Sequence, residues 1–168
     1  MDTRKVLLEY VTSPIRLFEL SAQMPFCSRF FEPLPKFITW CKETYPDAQW
    51  VDMGAGQGHV TQALRKAGLD ALAIDLFLAE SDAVIDDISK MDAAMFPFFA
   101  GHIGLICRPC RGEWIHASII KAVEADCPVV YVGKDSHFDE DLQPLPYNTT
   151  LIMTDAGEAG ESVWLVTK

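Results

Sequence analysis

Residues 50–60 read WVDMGAGQGHV. Gly54, Gly56 and Gly58 stand between a short apolar run and a segment of helical period. At a glycine the backbone can turn tightly and come close to a ligand, and the first amides of a helix lack partners within it and attract an anion. The stretch therefore predicts a strand, a ligand-cradling turn and a helix, in that order. Its spacing restricts the ligand. A dinucleotide turn runs G-x-G-x-x-G and would need a glycine where His59 stands. A phosphate loop needs Gly-Lys-Ser/Thr, and none follows.

Outward from this turn, Val60, Ala63, Leu64 and Ala67 recur at helical spacing, with Gly68 at the place of a C-terminal cap. Further apolar runs follow at 71–76, 83–86, 103–107, 128–132, 149–154 and 162–167, and Ile115, Ile119, Ala122 and Val123 mark a second amphipathic helix. Strands alternating with helices predict an α/β fold, a doubly wound, mostly parallel sheet of seven strands. DAGEAGE between the last two runs is too short for a helical crossover, so these two should form an antiparallel C-terminal hairpin. Residues 135–147 read as a surface loop and pocket wall.

Residues 1–48 read as a helical N-terminal extension of the same domain, ahead of a core at 49–168. Val6, Leu7 and Tyr10 share a face, Ser13-Pro14 starts a helix, and PKFITWCKETYP is a short helix closed by Pro46. Tyr10, Phe26, Arg29, Phe30, Phe31 and Trp40 suit either a lid over the turn or a core.

A chain of 168 residues fits one domain. Net charge is -10, and residues 1–48 hold six basic and six acidic residues, so the whole excess lies in the core. Nucleic-acid affinity rests largely on neutralising phosphates, so an acidic core argues against DNA or RNA as a general partner and favours a small-molecule substrate. No window approaches the roughly 18 apolar residues of a membrane span, and the N-terminus lacks the pattern of a secretory signal. Five cysteines without regular spacing argue against a disulfide framework, and a cytoplasmic location is expected. Nothing in the sequence sets an oligomeric state.

VDMGAGQG at 51–58 resembles the first motif of the class I S-adenosylmethionine-dependent methyltransferases, apolar-Asp/Glu-apolar-Gly-x-Gly-x-Gly, at every position. The predicted strand order resembles that family's Rossmann-like sheet over residues 48–168. The resemblance implies S-adenosyl-L-methionine as cofactor and a transferase activity. It implies that Asp52, with Gly54, Gly56 and Gly58, faces the methionine end, that Asp75 accepts the ribose hydroxyls with Leu76 against the adenine, and that Asp87 and Ile88 hold the adenine edge and ring. An acidic surrounding suits the ligand's ammonium and sulfonium.

The family's fourth motif, Asp/Asn-Pro-Pro-aromatic after strand four, is here Arg108-Pro109-Cys110. This departure places Arg108 and Cys110 at the catalytic position without the groups that hold a nitrogen nucleophile. Arg108 can anchor an acidic small substrate, and Glu113, His116 and His59 are candidate bases. The alternative reading is a non-catalytic protein of the same fold that binds S-adenosylmethionine or S-adenosylhomocysteine as a sensor or accessory subunit. A nucleotide-sugar or NAD-type module is more distant. Cys107-Arg108-Pro109-Cys110 also has the form of a redox pair, and of half a zinc site that lacks a second ligand pair, so no metal is expected.

Overall fold

In the computed structural model of this chain, residues 33–77 and 83–168 are described. The expected helices and aromatic residues before Glu32 lie outside them. The apolar run ahead of the glycines forms β1 (Gln49–Met53), buried from Trp50 onward because strands stand on both of its sides. The other strands are β2 (Asp70–Asp75), β3 (Ser89–Lys90), β4 (His102–Cys107), β5 (Val129–Lys134), β6 (Asn148–Met153) and β7 (Glu161–Thr167). The sheet order is β3-β2-β1-β4-β5-β7-β6. The first five strands are parallel, and β7 runs antiparallel to both β5 and β6. This is the doubly wound sheet with a terminal hairpin that the sequence predicts.

Pairing register sets the two faces. Asp52, Ala73, Leu105 and Val130 lie side by side on one face, and Val51, Leu72, Gly104 and Val129 on the other. The second face carries the main core, where Val51, Met53, Ile106, Tyr131 and Trp164 meet α3 (Trp114–Glu124) through Ile115, Ile119, Ala122 and Val123. These four are the helical stripe expected from spacing. The first face receives α1 (Pro35–Thr44) and α2 (His59–Lys66). Phe37 of α1 meets Trp50 edge-on at 6.4 Å, and Trp40 stacks on Phe37 at 6.2 Å. Helix α1 starts with Pro35 at its first position and stops before Pro46.

Gly68 ends α2 as expected. With φ +87, it lets Leu69 N–H reach the Leu64 carbonyl at 3.1 Å while its own N–H reaches that of Arg65 at 3.0 Å, a Schellman closure.

Two expectations change. Strand three is not at 83–86. Val84 N–H donates to the Gln57 carbonyl at 2.8 Å, which draws that run onto the glycine turn, and pairing begins only at Ser89 and Lys90. The segment 135–147 is more than a surface loop. It contains a 3-10 turn and the short α4 (Phe138–Asp141), and it buries Asp141, Leu142 and Leu145. The buried Tyr131 hydroxyl donates to Asp141.

Candidate functional site

The chain leaves β1 toward β2 on one side and returns as β4 on the other, so a crevice opens at the carboxyl ends of β1 and β4, where open α/β sheets bind ligands. The glycine turn lies at this point. Gly54, Gly56 and Gly58 have φ values of +72, +56 and +86, a region that other residues occupy only with strain. Amides of Gly54 and Ala55 both donate to the Ile74 carbonyl, at 2.9 and 3.0 Å, which stitches the turn to the end of β2. A Cβ at Gly58 would lie 2.5 Å from Ile85, whereas at Gly56 it would meet nothing within 4 Å. The outer side of the turn at Gly56 is open.

Asp75, at the tip of β2, accepts from Gly56 N–H at 2.8 Å through one carboxylate oxygen and from Phe77 N–H at 2.7 Å through the other. Each oxygen keeps an acceptor site, so the same carboxylate that fixes the turn can receive a pair of hydroxyls. Leu76 and Phe77 beside it are exposed, at 47% and 80%.

Asp52 sits below the turn with 2% of its surface exposed. Thr61 Oγ1, on the buried side of α2, donates to it at 2.7 Å. Burial raises its carboxyl to about 6, against the lowering effect of Thr61 and with a smaller upward push from Asp75. A buried acid in this state gains from a cation brought beside it.

The other residues singled out from the sequence have the following partners. Arg65 holds Asp87 by two hydrogen bonds of 2.8 and 2.9 Å, which lowers the Asp87 carboxyl, while Ile88 lies 3.5 Å from the Cβ position of Gly58. Arg108, with φ +49, donates from Nε and Nη2 to Glu161 at 2.6 and 2.8 Å, with only 8% and 1% of the two side chains exposed. Gly157 of the β6–β7 turn fits against this pair and Leu34, since a Cβ there would approach all three within 2.9 Å. Cys110 is exposed. Burial pushes the Cys107 thiol well up, opposite to the activated first thiol of a redox pair. His59 Nε2 lies 3.0 Å from Gln57 Oε1, His116 Nε2 lies 3.0 Å from the Glu140 carbonyl, and Glu113 is exposed ahead of α3.

No protein-family model matches the sequence, and no curated protein matches it. Solved structures do. An S-adenosylmethionine-dependent methyltransferase from Archaeoglobus fulgidus aligns with a TM-score of 0.57 over 90% of this chain and 99% of its own, at 9% identity. One from Bacteroides fragilis, in complex with S-adenosyl-L-homocysteine, gives 0.56 over 83% and 79%, at 13% identity. The Pyrococcus abyssi tRNA (uracil-54, C5)-methyltransferase, also in complex with S-adenosyl-L-homocysteine, gives 0.56 over 82% of this chain but 39% of its own, at 15% identity.

The chain has the class I S-adenosylmethionine-dependent methyltransferase fold. At such identities the likeness is one of fold. Within this methyltransferase fold, the structure gathers Asp52, the three glycines and Asp75 at the carboxyl ends of β1 and β2, and it adds three residues the sequence reading did not single out. Thr61 is the partner that a buried Asp52 requires, and the rule that buried charge must be satisfied points to a hydroxyl on the next helix. Glu161 is an acid opening an otherwise mostly buried strand, a pattern that asks for a cation. Trp114 lies against Gly54, and no local sequence signal marks that contact.

Proposed function

We propose that this chain binds S-adenosylmethionine in the turn from Gly54 to Gly58 and transfers its methyl group to a small molecule. The observation that carries the reading is Asp75, held by Gly56 and Phe77 amides with acceptor capacity left on both oxygens, one turn away from the buried Asp52. The residues suit the cofactor's chemistry. The open side of Gly56 leaves room for it, Asp75 offers acceptors to its ribose hydroxyls, and Asp52 lies where an ammonium would stabilise its charged form. When bound, S-adenosylmethionine supplies an electrophilic methyl carbon on a sulfonium. What the protein adds is alignment and exclusion of water. The acidic core favours a neutral or cationic acceptor over a polyanion.

Calorimetry with S-adenosylmethionine, S-adenosylhomocysteine and NAD tests the cofactor. Binding of the first two without NAD is expected, and Asp75→Ala should weaken both more than tenfold. Unchanged affinity in that variant would remove Asp75 from the site.

One observation favours a second reading, in which the chain binds the cofactor without turnover. Arg108, at the fourth-motif position, is bound to Glu161 and covered by Gly157, so its Nε and Nη2 serve the fold rather than an acceptor. Incubation with methyl-labelled S-adenosylmethionine and fractionated small-molecule, RNA and protein extracts separates the two. Label in the small-molecule fraction supports transfer, and bound cofactor with no label in any fraction supports the second reading.

A further inference from the structure

Trp114 opens α3 and is half-buried, yet its indole reaches across the crevice to the glycine turn. A Cβ at Gly54 would lie 2.8 Å from its Cη2 and 3.4 Å from Cζ2 and Cζ3, so the absence of a side chain at Gly54 makes room for the six-membered ring. The other end of the indole is fixed. Nε1 donates to the Cys110 carbonyl at 2.9 Å, and a Cβ at Gly112 would lie 3.0 Å from Cδ1. One side chain thus spans the gap between the turn after β1 and the loop after β4, held at both ends.

This position has a chemical consequence, which rests on the turn being the S-adenosylmethionine site. The sulfonium joins the methionine part to the ribose, so a ligand with its methionine end on the glycine turn and its ribose on Asp75 would carry the sulfonium between them. Gly54 begins that stretch, its own amide bound to Ile74, the neighbour of Asp75. Arg108 and Arg111, the two cations of the loop after β4, are paired with Glu161 and Glu140. An indole is the most effective aromatic partner for a cation.

We propose that Trp114 reads the charge of the ligand, favouring the cationic donor over the neutral demethylated product. An indole that merely fills space would contribute equally to both ligands, because they differ by one methyl group and one charge. An indole beside the sulfonium contributes to the donor alone.

The test is calorimetry of the intact chain and of Trp114→Leu and Trp114→Phe with S-adenosylmethionine and S-adenosylhomocysteine. Trp114→Leu should weaken the donor about five- to tenfold and the product less than twofold, with Trp114→Phe between. Equal weakening of both ligands, or no weakening, overturns the proposal. Trp114→Phe keeps a ring against Gly54, so it serves if the leucine variant does not fold. A second readout uses the unaltered protein, in which saturation with the donor should change the Trp114 emission, identified by difference from Trp114→Phe, more than saturation with the product. Identical changes count against the proposal. Failure of the unaltered protein to bind either ligand overturns the cofactor reading itself, a result distinct from binding without discrimination.

Discussion

At the scale of single residues, the candidate site brings together carboxylates whose surroundings differ. Burial sets Asp52 against the fold at neutral pH. Its carboxyl is raised to about 6 in the folded state by burial, above the ordinary aspartate value. The folded protein therefore holds this proton more tightly than the unfolded chain, and the stability tied to Asp52 is full below about pH 4 and lost as pH rises through 6. Asp52→Asn keeps an acceptor for Thr61 and removes the ionisation. Urea unfolding should show the variant more stable at pH 7.5 by on the order of 2 kcal/mol, with no gain at pH 4. If Asp52 faces the ligand's ammonium as proposed, the same change should also weaken S-adenosylmethionine binding. A gain over the unaltered protein no larger at pH 7.5 than at pH 4 would mean that Asp52 is not strained by burial. Arg108 and Glu161 form the complementary case of a buried pair satisfied within the fold. Removing one partner, as in Glu161→Leu or Arg108→Met, should cost about 3–5 kcal/mol, and Arg108→Met with Glu161→Leu should recover most of it. A double-mutant cycle by chemical denaturation measures this coupling, and additive losses would show that the pair is not coupled. Sequence alone identified Arg108 but assigned its charge to a substrate, because the pairing acid lies 53 residues away on the far side of β5.

Elements were legible where local chemistry decided them. β1, α2 with its Gly68 closure, α3 and the terminal hairpin follow from apolar spacing and from turn residues that leave the backbone few choices. Strand three was not legible, because AVID has the composition of a strand while tertiary packing sends Val84 to the Gln57 carbonyl and Ile85 onto Gly58. That packing makes the three glycines unequal, although the motif presents them alike. Gly58→Ala meets both a left-handed backbone at φ +86 and a collision at 2.5 Å with Ile85. Gly56→Ala meets only the backbone strain, at φ +56, of about 1–2 kcal/mol. Chemical denaturation should therefore rank Gly58→Ala as the more destabilising change, and Ile85→Ala should relieve part of its cost. Gly56→Ala should fold and lose cofactor affinity, because its new methyl enters the open side of the turn. Equal stabilities for the two glycine variants would contradict the placement of Ile85.

For the molecule as a whole, solved structures of this fold include enzymes named for tRNA, 23S rRNA and ribosomal protein L11, so fold alone leaves the acceptor class open. Charge narrows it. Residues 49–168 hold 8 basic and 18 acidic residues, and of those bases Arg65, Arg108, Arg111 and Lys168 already sit in ion pairs within the described residues. A protein binds a polyanion by releasing condensed counterions, and each phosphate neutralised adds to the slope of affinity against salt. Bases spent on internal carboxylates release fewer. Filter binding with tRNA-sized RNA is therefore expected to show no retention at 100 mM salt and only a shallow salt dependence below it, unchanged by S-adenosylmethionine. Sub-micromolar retention with a steep slope would show that basic groups converge on a phosphate track, and the small-molecule reading would give way to an RNA acceptor.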